Sequence, residues 1–317
     1  MLVLRWERYS FQRRLFKRTA RHGRDAMRSN HSTFIFVLGT CFSILNAYSS
    51  EAETAVERFV NSSGVKLETA NVHTVGCAQD GQADFQPPPR LPETIPVKVP
   101  IGTASYLSFY SAHDQLDAGV LAPKGWSCFG TYGSGGSTLY VTPFEIEGPI
   151  LDRAKRIGKS SAVVSNFAIG DTSGRFTVAR MAARLFPQTR SFVESVLSEG
   201  LVDTKDFAFE IVSSDAIDRL SDSAIKFSTP AGKQGLGTVL LESSSDLPIS
   251  GLVLLDQYAP NGFNLEHLAV RLSARDEPLI SSIIIGRLAL WRAVGSSVGS
   301  GALFVGAERD RGCRRLL

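Results

Sequence analysis

The sequence predicts an α+β fold with a largely antiparallel sheet and a few flanking helices. Short runs with strand character recur along the chain, at residues 97–110, 119–123, 138–142, 162–169, 207–212, 224–227, 238–241, 251–255 and 265–272. Helical patterns stand apart from them, at residues 51–61, 176–186, 192–200 and 279–292. Strands and helices grouped in blocks, without strict alternation, are typical of α+β domains.

The helical predictions depend on spacing and on end signals. In residues 279–292 the apolar side chains recur at helical spacing. Arg287 and Arg292 in that segment argue against a membrane span. The helix in residues 176–186 ends before Pro187, since the residue before a proline disfavours the helical conformation.

A short apolar segment near the start of the chain, residues 33–45, predicts an export signal. Arg28 supplies a positive charge before it, and Ala47 and Ser49 are the small residues that a cleavage site requires. We therefore interpret residues 27–49 as a signal peptide. The alternative is an uncleaved leader that tethers the protein to a membrane, although a comfortable span needs about 20 apolar residues.

The first 26 residues are too long and too charged for the basic start of such a signal. We interpret residues 1–26 as an over-extended reading frame, with Met27 as the true start. The expected localisation is periplasmic or secreted.

The excess of positive charge belongs to the leader. The chain has 34 Lys and Arg against 31 Asp and Glu, and residues 1–50 hold nine of the former and two of the latter. The remaining chain is slightly acidic, so its charge gives no argument for nucleic acid binding. We expect no nucleic acid partner, and membrane contact only through the leader.

The cysteines predict one disulfide bond. Cys41 lies in the signal, Cys313 lies near the end of the chain, and Cys77 and Cys128 lie together in the first half. In an oxidising compartment two cysteines of one module most simply pair. A metal site would need more ligands than the few dispersed histidines offer, so neither a metal nor a cofactor is expected.

The chain divides into segments after the signal. Residues 50–96 suit a helix followed by a proline-rich arm, and residues 97–150 suit a small β unit pinned by the bridge. Residues 151–294 suit an α+β region. Residues 295–317, rich in Gly and Ser, suit a loosely ordered tail.

One segment resembles a known group of proteins. Residues 119–134 read GVLAPKGWSCFGTYGS. This segment resembles one that recurs in uncharacterised exported bacterial proteins. The resemblance implies export and a bacterial source, and it carries no activity or catalytic residue.

A hydrolase is the catalytic alternative. Ser134 would be the nucleophile, His113 the base, and Asp114 or Asp117 the orienting carboxylate. Ser134 does not lie in a G-x-S-x-G motif. The glycine-rich loop around it suits a hairpin turn better than a phosphate site, because it matches no phosphate-binding motif.

Aromatic residues around Cys128 are candidates for binding. Trp126 is expected to pack against the bridge, as aromatic rings beside disulfides often do. Trp126, Tyr132 and Gly133 are also candidates for a platform that binds an envelope glycan or a protein. The sequence therefore favours an exported cell-envelope protein that acts as a non-catalytic binding or structural module.

Overall fold

The computed structural model describes residues 54–114, 116–170, 172–207, 214–239, 245–259 and 262–295, which fall in one compact unit. The predicted over-extended start and the signal peptide lie outside these residues. The predicted tail also lies outside them, except for Gly295, which ends a helix.

The described residues contain twelve strands and five helices. The strands are β1 (Leu67–Gly76), β2 (Gln79–Gly81), β3 (Thr94–Pro100), β4 (Leu107–Ser111), β5 (Val120–Pro123), β6 (Ser127–Gly133), β7 (Gly136–Thr142), β8 (Val163–Ile169), β9 (Ala216–Arg219), β10 (Ala224–Thr229), β11 (Ile249–Ala259) and β12 (Gly262–Arg271). The helices are α1 (residues 54–63), α2 (Ile150–Arg153), α3 (Arg175–Leu185), α4 (Arg190–Ser198) and α5 (Ile280–Gly295).

The strands form two sheets. A four-stranded sheet has the order β3-β1-β4-β5, and an eight-stranded sheet has the order β2-β6-β7-β8-β12-β11-β10-β9. Among the described strands, β1 with β4 and β2 with β6 are the parallel pairs, and the other neighbours are antiparallel. The predicted α+β fold with largely antiparallel strands is therefore confirmed.

Both faces of the eight-stranded sheet are covered, and β11 shows how. Leu252 and Leu254 face the core shared with the four-stranded sheet and α5. Val253 and Leu255 face the opposite core, which α3 and α4 cover. A strand buried on both faces is an unbroken apolar run rather than an alternating pattern, which is why this segment was recognisable as a strand.

Residues 97–110 do not form the single strand that their composition predicts. β3 ends at Pro100, the chain turns through Gly102, and β4 starts at Leu107. Gly102 has a φ of +81°, a left-handed conformation that glycine adopts without strain. The turn places β3 antiparallel to β1 and β4 parallel to it.

Other differences between the predicted and the observed secondary structure arise where the local sequence pattern is weak. β1 and β9 were not expected, because polar residues are frequent in both. Thr238, expected in a strand, ends a 3-10 turn instead. Most of the predicted strand at residues 207–212 lies outside the described part of the chain.

The predicted β unit of residues 97–150 contributes strands to both sheets. β3, β4 and β5 belong to the four-stranded sheet, and β6 and β7 belong to the eight-stranded sheet. The strands that follow the helix at residues 54–63 begin earlier than expected, because β1 and β2 lie within the predicted arm segment.

No helix in the described part of the chain combines the length and the hydropathy that crossing a membrane requires. In α5, Arg287 is fully buried, and its Nε and one terminal nitrogen donate to the carboxylate of Glu266 on β12. Burial, together with the charge of Glu266, raises the pKa of nearby Asp256. A charged cluster therefore lies where α5 meets the large sheet.

His267 is a second fully buried ionisable group. Its Nε2 lies 2.9 Å from the carbonyl oxygen of Leu236, and its ring stacks on Phe227 with centroids 5.2 Å apart. Burial lowers the pKa of His267 from 6.5 to about 4. The imidazole is therefore neutral in the folded protein at pH values where it is protonated in the unfolded chain.

We expect His267 to make the protein sensitive to acid. Between pH 6.5 and 4 the unfolded chain binds a proton that the folded protein does not, so the stability contributed above this window is lost as the pH falls. The loss amounts to about 3 kcal/mol of unfolding free energy. Urea unfolding at pH 7 and pH 4, compared between the wild-type chain and His267→Gln, measures it. Equal pH dependence in the two proteins would contradict the assignment.

Candidate binding cleft

The disulfide joins the two sheets. Cys77 directly follows β1 of the four-stranded sheet, and Cys128 lies in β6 of the eight-stranded sheet. Their sulfur atoms are bonded, and their Cα atoms are 5.4 Å apart. Cys77 is buried and Cys128 is half-buried. The predicted Cys77–Cys128 bridge is therefore confirmed, and it fastens one sheet to the other.

A cleft of about 210 Å³ lies beside the bridge. Its walls come from the end of β1, from β6, from the end of β7, and from the segment that leads into α2. The lining residues are Val75, Gly76, Trp126, Ser127, Cys128, Phe129, Thr142, Glu145, Ile146 and Arg153. The cleft therefore combines apolar walls with one residue of each charge.

Trp126 is positioned by the turn between β5 and β6. The hydroxyl of Tyr110 donates to the carbonyl oxygen of Pro123 at 2.8 Å and accepts from the N–H of Trp126 at 3.0 Å. Gly125, with a φ of +84°, allows the tight turn before it. Burial raises the pKa of Tyr110, which keeps this bridging hydroxyl protonated. The half-buried indole packs against the main core. Its expected packing against the bridge itself stays a prediction.

Phe129 forms a densely packed wall of the cleft. The ring of Phe129 stacks on that of Tyr140, with centroids 5.1 Å apart. Both rings belong to a small core that also contains Ile146 and Ile150. Packing on several sides leaves Phe129 2% exposed, so the wall that it forms is preorganised.

The charged pair at the cleft is loosely joined. A terminal nitrogen of Arg153 lies 4.0 Å from an oxygen of Glu145, and the side chain of Glu145 is 73% exposed. The Nε of Arg153 donates to the carbonyl oxygen of Gly148 at 2.9 Å, and its guanidinium carbon lies 5.9 Å from the ring centroid of Phe129. An exposed pair of this kind contributes about 0–1 kcal/mol, so a ligand group can replace Glu145 beside Arg153 at little cost.

Tyr132 and Gly133 do not line this cleft. They lie at the other end of β6, about 20 Å along the strand from Trp126. The hydroxyl of Tyr132 donates to the carbonyl oxygen of Asp84 at 2.6 Å, which ties the β6–β7 end to the arm. Of the three sequence-predicted binding candidates, the structure places only Trp126 in the cleft.

The glycine-rich loop is the expected hairpin turn between β6 and β7. Gly133 pairs with Gly136 at its end. A Cβ on Gly136 would lie 2.2 Å from the carbonyl oxygen of Ala168 on β8, and its φ is +140°. The glycine is therefore required by close approach of the two backbones.

The hydrolase candidates lie away from the cleft. Ser134 is exposed at the hairpin tip, where it accepts a hydrogen bond from the hydroxyl of Ser173 at 3.0 Å. His113 is half-buried after β4, and its backbone contacts the hydroxyl of Ser111. Asp114 beside it is exposed. The hydrolase hypothesis stays a prediction, because these positions do not by themselves define a substrate site.

Glu145 and Arg153 were missed by sequence reasoning. They lie in an irregular segment and a four-residue helix, and no spacing or motif marks them. Only the fold brings them beside Cys128 of a distant strand. The disulfide was the one available signal, because it indicated where two segments meet.

The described residues contain no cluster of three or more His, Cys, Asp or Glu side chains that would hold a metal ion. Comparisons with protein-family models, with curated proteins and with solved structures find no match. The resemblance of residues 119–134 to exported bacterial proteins therefore stays a prediction, and the cleft must be interpreted from its own chemistry.

Proposed function

We propose that this protein is an exported, non-catalytic binding module of the cell envelope, and that its cleft receives one protruding group of a partner protein. The observation that carries this proposal is the cleft of about 210 Å³ beside the Cys77–Cys128 bridge. The bridge is compatible with an oxidising compartment such as the periplasm or the exterior.

The size of the cleft favours part of a large partner over a whole small molecule. Sites that enclose a complete small-molecule ligand typically measure about 300–1,000 Å³. A volume of about 210 Å³ is smaller than that range. It suits one side chain or one chain end that projects from a larger surface.

The surroundings of the cleft favour a protein as that partner. Phe144, which precedes the lining residue Glu145, is 57% exposed. Leu151 lies in α2, the helix that carries Arg153, and is 51% exposed. Exposed apolar side chains on the segments that line a cleft are a feature of protein–protein contact surfaces. An envelope glycan would use the same Trp126 ring, and a glycan-binding measurement distinguishes it from a protein partner.

The test uses peptides selected from a random displayed library on the purified chain. Binding of each selected peptide is measured by the change in tryptophan fluorescence and by calorimetry. We expect Trp126→Ala to weaken binding at least tenfold, because a buried aromatic contact at an interface centre is commonly worth more than 1.4 kcal/mol.

The matched control is Phe85→Ala. Phe85 is 58% exposed and is not among the residues that line the cleft, so its loss is expected to leave the affinity unchanged. Peptides that bind Trp126→Ala as tightly as the wild-type chain would place recognition elsewhere. Binding of chitohexaose, with no peptide enrichment, would replace the protein partner by a glycan.

A further inference from the structure

A second, much smaller cavity lies away from the cleft, where the segment after β4 meets β2, β7 and β8 of the eight-stranded sheet. Its volume is about 10 Å³. Gln79 of β2, Asn166 and Ala168 of β8, and His113 after β4 are among the residues that line it. Segments connected to both sheets therefore meet at this point.

Two residues that line this cavity each carry a buried oxygen atom with no hydrogen-bond partner among the described residues. These atoms are Oε1 of Gln79 and Oδ1 of Asn166, and each residue is 3% exposed. The amide nitrogen of Gln79 donates to Oε1 of Gln86 at 3.1 Å. An unpaired buried acceptor is costly, so both oxygens require a donor.

We propose that this cavity is a binding site for one water molecule, which donates one hydrogen bond to Gln79 Oε1 and one to Asn166 Oδ1. A cavity volume of about 10–15 Å³ is the smallest that holds a single water. The two O–H groups of water match the two acceptors in number. No proton or electron is transferred.

An ammonium ion is the competing occupant of similar size, and the site disfavours it. Two neutral amide oxygens would leave two of its N–H groups without these acceptors. It would also bring a full charge into a buried position whose lining contains no carboxylate. Water therefore matches the two acceptor oxygens better than an ammonium ion does.

This water would form a polar joint between β2 and β8, two strands of the eight-stranded sheet that are not neighbours. Gln79 lies two residues after Cys77, so the joint holds the segment that crosses from β1 to β2. Gly130 allows the close approach, because a Cβ there would lie 3.0 Å from the Cβ of Gln79 and 3.1 Å from that of Ala112. His113 then forms a wall of a solvent site, which is a structural role for a residue that the sequence suggested as a base.

The direct test is a crystal structure of the wild-type chain at about 1.5 Å resolution or better. We expect one density peak about 2.7–3.2 Å from both amide oxygens. We also expect cross-relaxation between water and the side-chain amides of Gln79 and Asn166 by nuclear magnetic resonance. A site without density and without this cross-relaxation would overturn the proposal.

A double-mutant cycle tests the same point in solution. Gln79→Met and Asn166→Leu each leave the water with one acceptor, so each should lower the melting temperature by several degrees. The double variant removes both acceptors together, and its loss should be smaller than the sum of the single losses. Additive losses would mean that no shared molecule couples the two residues.

The control cycle combines Gln79→Met with Ser165→Ala. Ser165 is buried next to Asn166 in β8 and is not among the residues that line the cavity, so these two changes should add. Replacing NaCl by NH4Cl at equal concentration should leave the melting temperature unchanged. A rise would overturn water in favour of ammonium. The crystal structure decides the question if a variant fails to fold.

Discussion

Replacing Cys77 and Cys128 by alanine is expected to lower the free energy of unfolding by about 4 kcal/mol. The bridge closes a loop between residues 51 positions apart, and loops of that length restrict the unfolded chain by roughly this amount. Guanidinium unfolding of the two proteins at 25 °C measures the difference. The cleft beside Trp126 should change in shape as well, because Cys128 forms part of its lining.

Two controls separate the effect of breaking the bridge from the effect of removing the two sulfur atoms. All proteins carry Cys41→Ser and Cys313→Ser. These two positions lie outside the described residues, and their substitution prevents the formation of other disulfide bonds. The bridged protein is also measured after reduction, which breaks the bond and keeps both sulfur atoms. A loss smaller than about 1 kcal/mol on reduction would mean that packing alone holds the sheets together.

Removing the buried charge of α5 is expected to have an effect of similar size. Arg287→Met leaves the carboxylate of Glu266 beside a buried apolar side chain, and breaking a buried pair in this way costs about 3–5 kcal/mol. Urea unfolding at pH 7 measures the loss. Adding Glu266→Gln should restore part of the stability, because no uncompensated charge then remains.

The matched control for this change is Arg275→Met. Arg275 is exposed just before α5, so its replacement should alter the free energy of unfolding by less than about 0.5 kcal/mol. A similar result for Arg287→Met would show that Glu266 remains solvated without its partner.

Local sequence patterns were sufficient to predict much of the fold. The continuous apolar run of β11 and the helical spacing of α5 were both visible in the sequence. The cysteine pair was predictable because only two cysteines remain between the leader and the tail. For β11 and α5 the pattern that decides the structure lies within one segment. For the cysteines only one pairing is left.

The candidate cleft could not be predicted from the sequence, because it is formed by contacts between segments that no local pattern indicates. Arg153 lies near Phe129, a residue 24 positions earlier, only because α2 packs beside β6. Arg287 argued against a membrane span in the sequence, and the structure places it in the core with a carboxylate from another element. Such pairings are decided by the tertiary arrangement, which single-sequence patterns do not contain.

The position of the bridge has a consequence for damaged molecules. Residues 78–127 form a covalently closed ring with the two cysteines, and this ring includes strands of both sheets. A protease that cuts once within the ring leaves both fragments attached to each other. Such a nicked molecule would migrate as one species until a reductant releases the pieces, and it could keep its shape in an environment rich in proteases.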